Sequence, residues 1–184
     1  MKNKIFGICA IGICAALTVI SAYIQIPFFI PITLQSLAIM LICGIFGLKI
    51  GLLSTLIYIL IGVAGLPVFS GGQAGISALG GISGGFIIGF IPMAVIVGVA
   101  SDVLKKRRNG SFLLRFVFML VGNIALYACG IVFYCILYVG DSGASLYSLA
   151  TLLVLPYLLP DIIKTLIAAY LSKRLSFLNS INSN

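Results

Sequence analysis

Apolar residues run along this chain in long, nearly unbroken stretches, without the alternation that marks the half-buried strands and helices of a soluble protein. A run of about 20 apolar residues is long enough to cross a bilayer as a helix. Six runs can be marked, the first over about 5–23, preceded by Lys2 and Lys4. Its apolar length exceeds the roughly 7–15 residues of a signal peptide, so it is read as a retained helix. Residues 25–31 hold Pro27 and Pro31, which remove two donors and predict a loop. The second and third runs cover about 33–48 and 52–64, with a tight turn at 47–51. The glycine-dense segment 65–85 predicts a long connection with one helical turn around 74–79. The fourth, fifth and sixth runs cover about 86–101, 114–137 and 147–171, with a polar loop at 141–143. The pattern predicts an all-α integral membrane protein, a six-transmembrane-helix bundle forming one domain over 1–174, with a polar tail at 175–184.

Composition agrees. The chain is 62% hydrophobic and 8% charged, whereas a soluble domain is about a quarter charged. Disorder, DNA-binding modules and water-soluble hydrolase folds are excluded. The net charge of +8 is sorted by the spans. Lys2 and Lys4, Lys49, the run 105–108, Arg115, and Lys173 with Arg174 all fall on one face, and the other face carries Asp141. This positive-inside pattern makes the basic face cytoplasmic and predicts a multi-pass plasma-membrane protein with both termini cytoplasmic. It also makes the cations partners of lipid headgroups, with no nucleic-acid role. Five cysteines, no histidine and three acids supply almost no metal ligands, and no pair has C-x-x-C spacing. No Gly-Lys-Ser/Thr follows the glycines, so the chain has no phosphate-loop ATPase motif and no cofactor is expected.

Asp161 and Lys164 do not fit the charge sorting. Counting from Lys173 at ~1.5 Å per residue puts Lys164 roughly 13 Å deep. A central Asp or Lys costs ~2.5–3.5 kcal/mol, so such residues face a cavity or a partner. Their i, i+3 spacing puts them on one helix face. Two readings stay open: a mutually neutralising pair, or a grip for a ligand with a carboxylate and N–H groups. Pro156 and Pro160 free two carbonyls and predict a broken helix that resumes with Pro160 at its first position and Asp161 in its first turn. Gly71, Gly72 and Gly75 could bring backbone N–H groups near a ligand. In the first run Ala10, Cys14, Thr18 and Ala22 form a small-residue row, with Gly12 and Ala16 beside it. Such a face docks either another subunit or an internal helix.

The segments IPITLQSL at 30–37, GLPVFSGGQAG at 65–75, GISGGFIIGF at 81–90, GNIALYACG at 122–130 and LPDIIK at 159–164 carry a further signal. In this order the chain resembles the biotin-binding S components of energy-coupling-factor (ECF) vitamin transporters, the BioY family. The resemblance implies the ECF S-component fold, with biotin in a cavity gated by residues 25–33 and lined by the glycine-rich connection. It implies as partners a transmembrane coupling subunit, reached through the small residues of the first span, and two ATPases. Lys164 would take the valerate carboxylate and Asp161 the ureido N–H groups. Gln35, Gln73, Ser83, Asn123 and Tyr157 are candidates for further polar contacts. Phe69, Tyr127 and the backbone of Gly71, Gly72 and Gly75 would enclose the rings. The chain departs from many relatives at Ile82-Ser83 and at Ile87, where some carry arginine. Without that arginine, more of the anion-binding role falls on Lys164.

Three other classes fit the sequence less well. An intramembrane enzyme lacks a visible nucleophile–base pair. A secondary transporter or channel for another carboxylate-bearing vitamin needs charge along a through-path. A purely structural subunit leaves the Asp161–Lys164 pair without a purpose.

Overall fold

In the computed structural model the described residues are 2–28, 30–106, 111–139 and 154–175. The chain forms α1 (Lys2–Tyr23), a short antiparallel hairpin of β1 (Gln25–Ile26) and β2 (Ile32–Thr33), then α2 (Gln35–Phe46) and α3 (Leu48–Val63). A 3₁₀ turn at Ser70–Gly72 and the short α4 (Gly75–Gly80) lead to α5 (Gly84–Lys106) and α6 (Phe112–Tyr134). A π-helical turn, Cys135–Val139, extends α6, and α7 covers Leu155–Leu175. The architecture is the expected all-α membrane class. Among the described residues, α1, α5 and α6 with its extension are long and apolar enough to cross a membrane, while α2 and α3 are shorter apolar helices. The start of the sixth predicted span, 147–153, lies outside the described residues, as do the loop at 141–143 and the tail beyond 175.

Helix packing follows from small residues. Lipid tails are as apolar as leucine, so helices associate here through close van der Waals fit. The centre holds Met40, Cys43, Tyr58, Met93, Ala94, Ala168 and Ala169, all fully buried, from α2, α3, α5 and α7. Between α5 and α6, a Cβ on Gly85 would stand 3.0 Å from the carbonyl oxygen of Cys129, and one on Gly130 would strike the Phe86 ring at 2.5 Å. Large residues such as Ile8, Ile124 and Leu159 point outward.

Four local expectations change. The third helix begins at Leu48, because one residue, Gly47 at φ 83°, makes the whole turn from α2. Leu48 N–H then donates to Asp102 Oδ2 on α5 at 2.9 Å, supplying the cap the turn lacks. Asp102 also pairs with Lys105 at 3.4 Å. Asp102→Ala is therefore expected to lower stability by about 1 kcal/mol in a detergent melt, with Asp102→Asn recovering most of it. Residues 25–33 hold a small hairpin, since only Pro27 and Pro31 lack donors and the residues around them still pair.

The third change is in the last helix, which is unbroken at Pro160. It starts one turn earlier, with Pro156 where a missing N–H costs nothing, and Asp161 lies in its second turn. The fourth concerns α1. Ala10, Cys14, Thr18 and Ala22 are buried and turned into the bundle, so this row docks internal helices, chiefly α3. Gly12 and Ala16 face outward instead.

Candidate functional site

A cavity, open on one side, lies among the hairpin, the first turn of α2, residues 69–73, the start of α5, and α6 and α7. Phe69, Phe86, Ile87, Phe90 and Leu126 make most of the wall apolar. Polar groups concentrate in two places.

On one wall Asp161 and Lys164 meet, Nζ to Oδ1 at 2.8 Å, each residue 8% exposed. They share a face because both lie within one helix, where i and i+3 superpose. The second carboxylate oxygen of Asp161 accepts from the Tyr127 hydroxyl. Phe86 meets the Tyr127 ring edge-on, centroids 6.4 Å apart, and holds it in place. Behind this wall Asn123 Nδ2 donates to Thr165 Oγ1 at 2.8 Å, and that hydroxyl donates to the Asp161 carbonyl at 2.6 Å. A desolvated ion pair is stable only where the remaining lone pairs are also satisfied. Tyr127 satisfies the carboxylate. Lys164 has three donors, of which the described bonds commit one. The site can therefore exchange its internal ion pair for a guest bringing both an anion and N–H groups.

The second polar group faces it from α2. Thr33 Oγ1 donates to Gln35 Oε1 at 2.8 Å, and the Gln35 amide donates to the buried Tyr58 hydroxyl. Ser36, Ser70, Gln73 and Ser83 add hydroxyl and amide groups around the rim.

The hairpin closes one side. Ile30 N–H donates to the Tyr157 hydroxyl at 2.8 Å, and the Phe28 ring meets Tyr157 edge-on, 5.8 Å away. Ser70 donates to Gln25, and Tyr23 to the Pro67 carbonyl, tying the hairpin's base to the glycine-rich connection.

Of the candidates read from the sequence, Gln35, Phe69, Gln73, Ser83, Tyr127, Tyr157, Asp161 and Lys164 line the cavity. Asn123 stands behind the wall, and its Oδ1 is buried without a partner among the described residues. Gly71, Gly72 and Gly75 are not in the lining. Their φ angles of 70°, 75° and 77° show the reason for glycine there, which is to turn the chain. Tyr127, read as an apolar wall, also anchors the carboxylate through its hydroxyl. Thr33, Ser36, Ser70, Phe86, Phe90 and Leu126 went unread. Phe86, Ile87 and Phe90 recur at helical spacing, which a lipid-facing stripe would equally show. Among the described residues Lys164 is the one cation lining the cavity, and Ile87 stands in it as an apolar side chain.

A family model described as the BioY family matches residues 1–180. A biotin transporter BioY of Thermotoga maritima is 34% identical over 165 residues, covering 89% of this chain and 92% of that protein. A probable biotin transporter BioY of Pyrococcus horikoshii is 32% identical over 176 residues, covering 95% and 98%. A crystal structure of the S component for biotin from an ECF-type ABC transporter superposes with a TM-score of 0.83 at 25% identity, covering 95% of this chain and 92% of that one.

Proposed function

This chain belongs to the BioY family, and on that premise we propose that it captures biotin as the S component of an ECF-type importer. The observation that carries the proposal is the Asp161–Lys164–Tyr127 cluster on one wall of an otherwise apolar cavity. Biotin has a carboxylate on a flexible chain, a ureido group with two N–H donors, and an apolar sulfur ring between them. Lys164 takes the carboxylate, and Asp161, released from Lys164, accepts from the ureido N–H groups. The sulfur ring and chain lie against Phe69, Phe86, Phe90 and Leu126. Gln35, Gln73, Ser83 and Tyr157 supply remaining polar contacts, and Asn123 with Thr165 positions the helix that carries Asp161.

Delivery requires a transmembrane coupling subunit and two ATPases, since binding alone gives no direction. The outward face of α1, with Gly12 and Ala16, is the surface offered to that subunit. The basic end of the bundle faces the cytoplasm of a bacterial cell, following the charge sorting, and the cavity opens to the outside.

The direct test is calorimetric titration of the detergent-purified chain with biotin, riboflavin, thiamine and folate. Saturable binding of biotin alone is the expected result, and preference for another vitamin would overturn the assignment. Uptake into vesicles that requires the ATPase subunits separates the importer from a stand-alone transporter. The hairpin gives a further expectation. Tyr157→Phe removes the acceptor for Ile30 N–H, so the lid loses one bond and biotin should leave several-fold faster, read by radiolabel chase.

A further inference from the structure

Arg115 was placed by sequence among the cations at the membrane surface. In the structure it sits in the first turn of α6 but folds inward, 5% exposed, into a small cleft at the basic end of the bundle. Its Nη1 donates to the Gly44 carbonyl at 3.0 Å, and Ser101 donates to the same oxygen at 2.7 Å. The Nε is buried without a partner among the described residues. Gly44 belongs to the last turn of α2, whose dipole offsets about half a charge. The rest of the guanidinium charge needs an anion.

No acidic side chain among the described residues is free to supply one. The chain has three acidic residues. Asp102 is committed to Leu48 N–H and Lys105. Asp161 is committed to Lys164 and Tyr127. Asp141 belongs by span order to the opposite membrane face. A buried guanidinium left unpaired costs several kcal/mol, so the cleft is built for an anion from outside. The rim says which kind. Leu104 and Phe118 line the cleft, Phe118 is 39% exposed, and Val103, Leu114 and Val117 beside it on α5 and α6 also point outward. The anion therefore enters along an apolar surface that faces acyl chains. A planar guanidinium suits phosphate, which it can bind bidentately.

We propose that the Arg115 cleft holds the phosphate of an anionic membrane phospholipid, its acyl chains lying over Phe118 and the outer faces of α5 and α6. This site is remote from the biotin cavity and does not depend on that assignment.

The test uses the full chain in neutral detergent, with phosphatidylglycerol, phosphatidylcholine and inorganic phosphate as separate probes. Native mass spectrometry and thermal melts are the readouts. Wild-type protein is expected to retain phosphatidylglycerol and to show a saturable rise in melting temperature with it, but not with the other two. Arg115→Gln should weaken that response roughly tenfold, the worth of a charge-assisted contact. Phe118→Glu, which puts a like charge at the cleft mouth and leaves Arg115 in place, should do the same and decides the matter if Arg115→Gln does not fold. Biotin titration of both variants should be unchanged. Equal retention of phosphatidylglycerol by wild type and variants overturns the proposal, as does an equal response to phosphatidylcholine or inorganic phosphate. Loss of the coupling subunit from variants with lipid retention intact also overturns it, and assigns the cleft to a protein carboxylate.

Discussion

Lys164→Ala is expected to weaken biotin binding at least tenfold in titration calorimetry. The residue is the one cation among the described residues lining the cavity, so no neighbour can replace it for a carboxylate. A charge-assisted hydrogen bond contributes about 1.5–3 kcal/mol, and 1.4 kcal/mol is already a factor of ten. The variant also strips Asp161 of its partner, and breaking a buried pair from one side costs about 3–5 kcal/mol. Stability and binding will therefore fall together in the single variant. Asp161→Ala with Lys164→Ala separates them. Removing both charges should recover much of the lost stability, because no uncompensated charge remains, while binding stays lost. An isotherm unchanged by Lys164→Ala would end the role given to this side chain.

The second large effect is expected from a residue that touches no ligand. Gly62 lies in α3 directly behind Phe69, and a Cβ there would stand 2.2 Å from the ring's Cζ. The Phe69 ring is itself 1% exposed, with Tyr58 edge-on to it at 5.6 Å. The open space beside it is the cavity it lines. Gly62→Ala should push the ring into that space and reduce biotin affinity tenfold or more. Alanine favours a helix over glycine by about 1 kcal/mol, so a melt should show little loss. Gly62→Ala combined with Phe69→Leu, which gives back the volume, should restore affinity. Binding by Gly62→Ala equal to wild type would mean the wall can yield elsewhere.

The candidate residues divide by how their signals arise. Asp161 and Lys164 were legible because a charge in an apolar run is costly wherever the run folds. Gln35, Gln73, Ser83 and Tyr157 were legible as polar breaks in apolar segments. Phe86, Phe90 and Leu126 were not, because an apolar residue reads alike against lipid, core or ligand. The small-residue row of α1 shows the same ambiguity. Its spacing marks a docking face but not the partner, and the structure turned Ala10, Cys14, Thr18 and Ala22 inward. Arg115 misled for a related reason. Its charge placed it at the membrane surface, while the carbonyl that draws it inward belongs to Gly44, far along the chain.

Hydropathy and charge, which depend on each residue's solvation alone, determined by themselves that this chain is a helical membrane protein with an acid and a base on one face of its last apolar run. Whether that pair is sealed or faces a void, which glycines turn the chain and which make room for a ring, and where a buried cation finds no counter-charge were decided only when the helices packed. Those properties are distances between residues remote in sequence, and a linear pattern does not contain them.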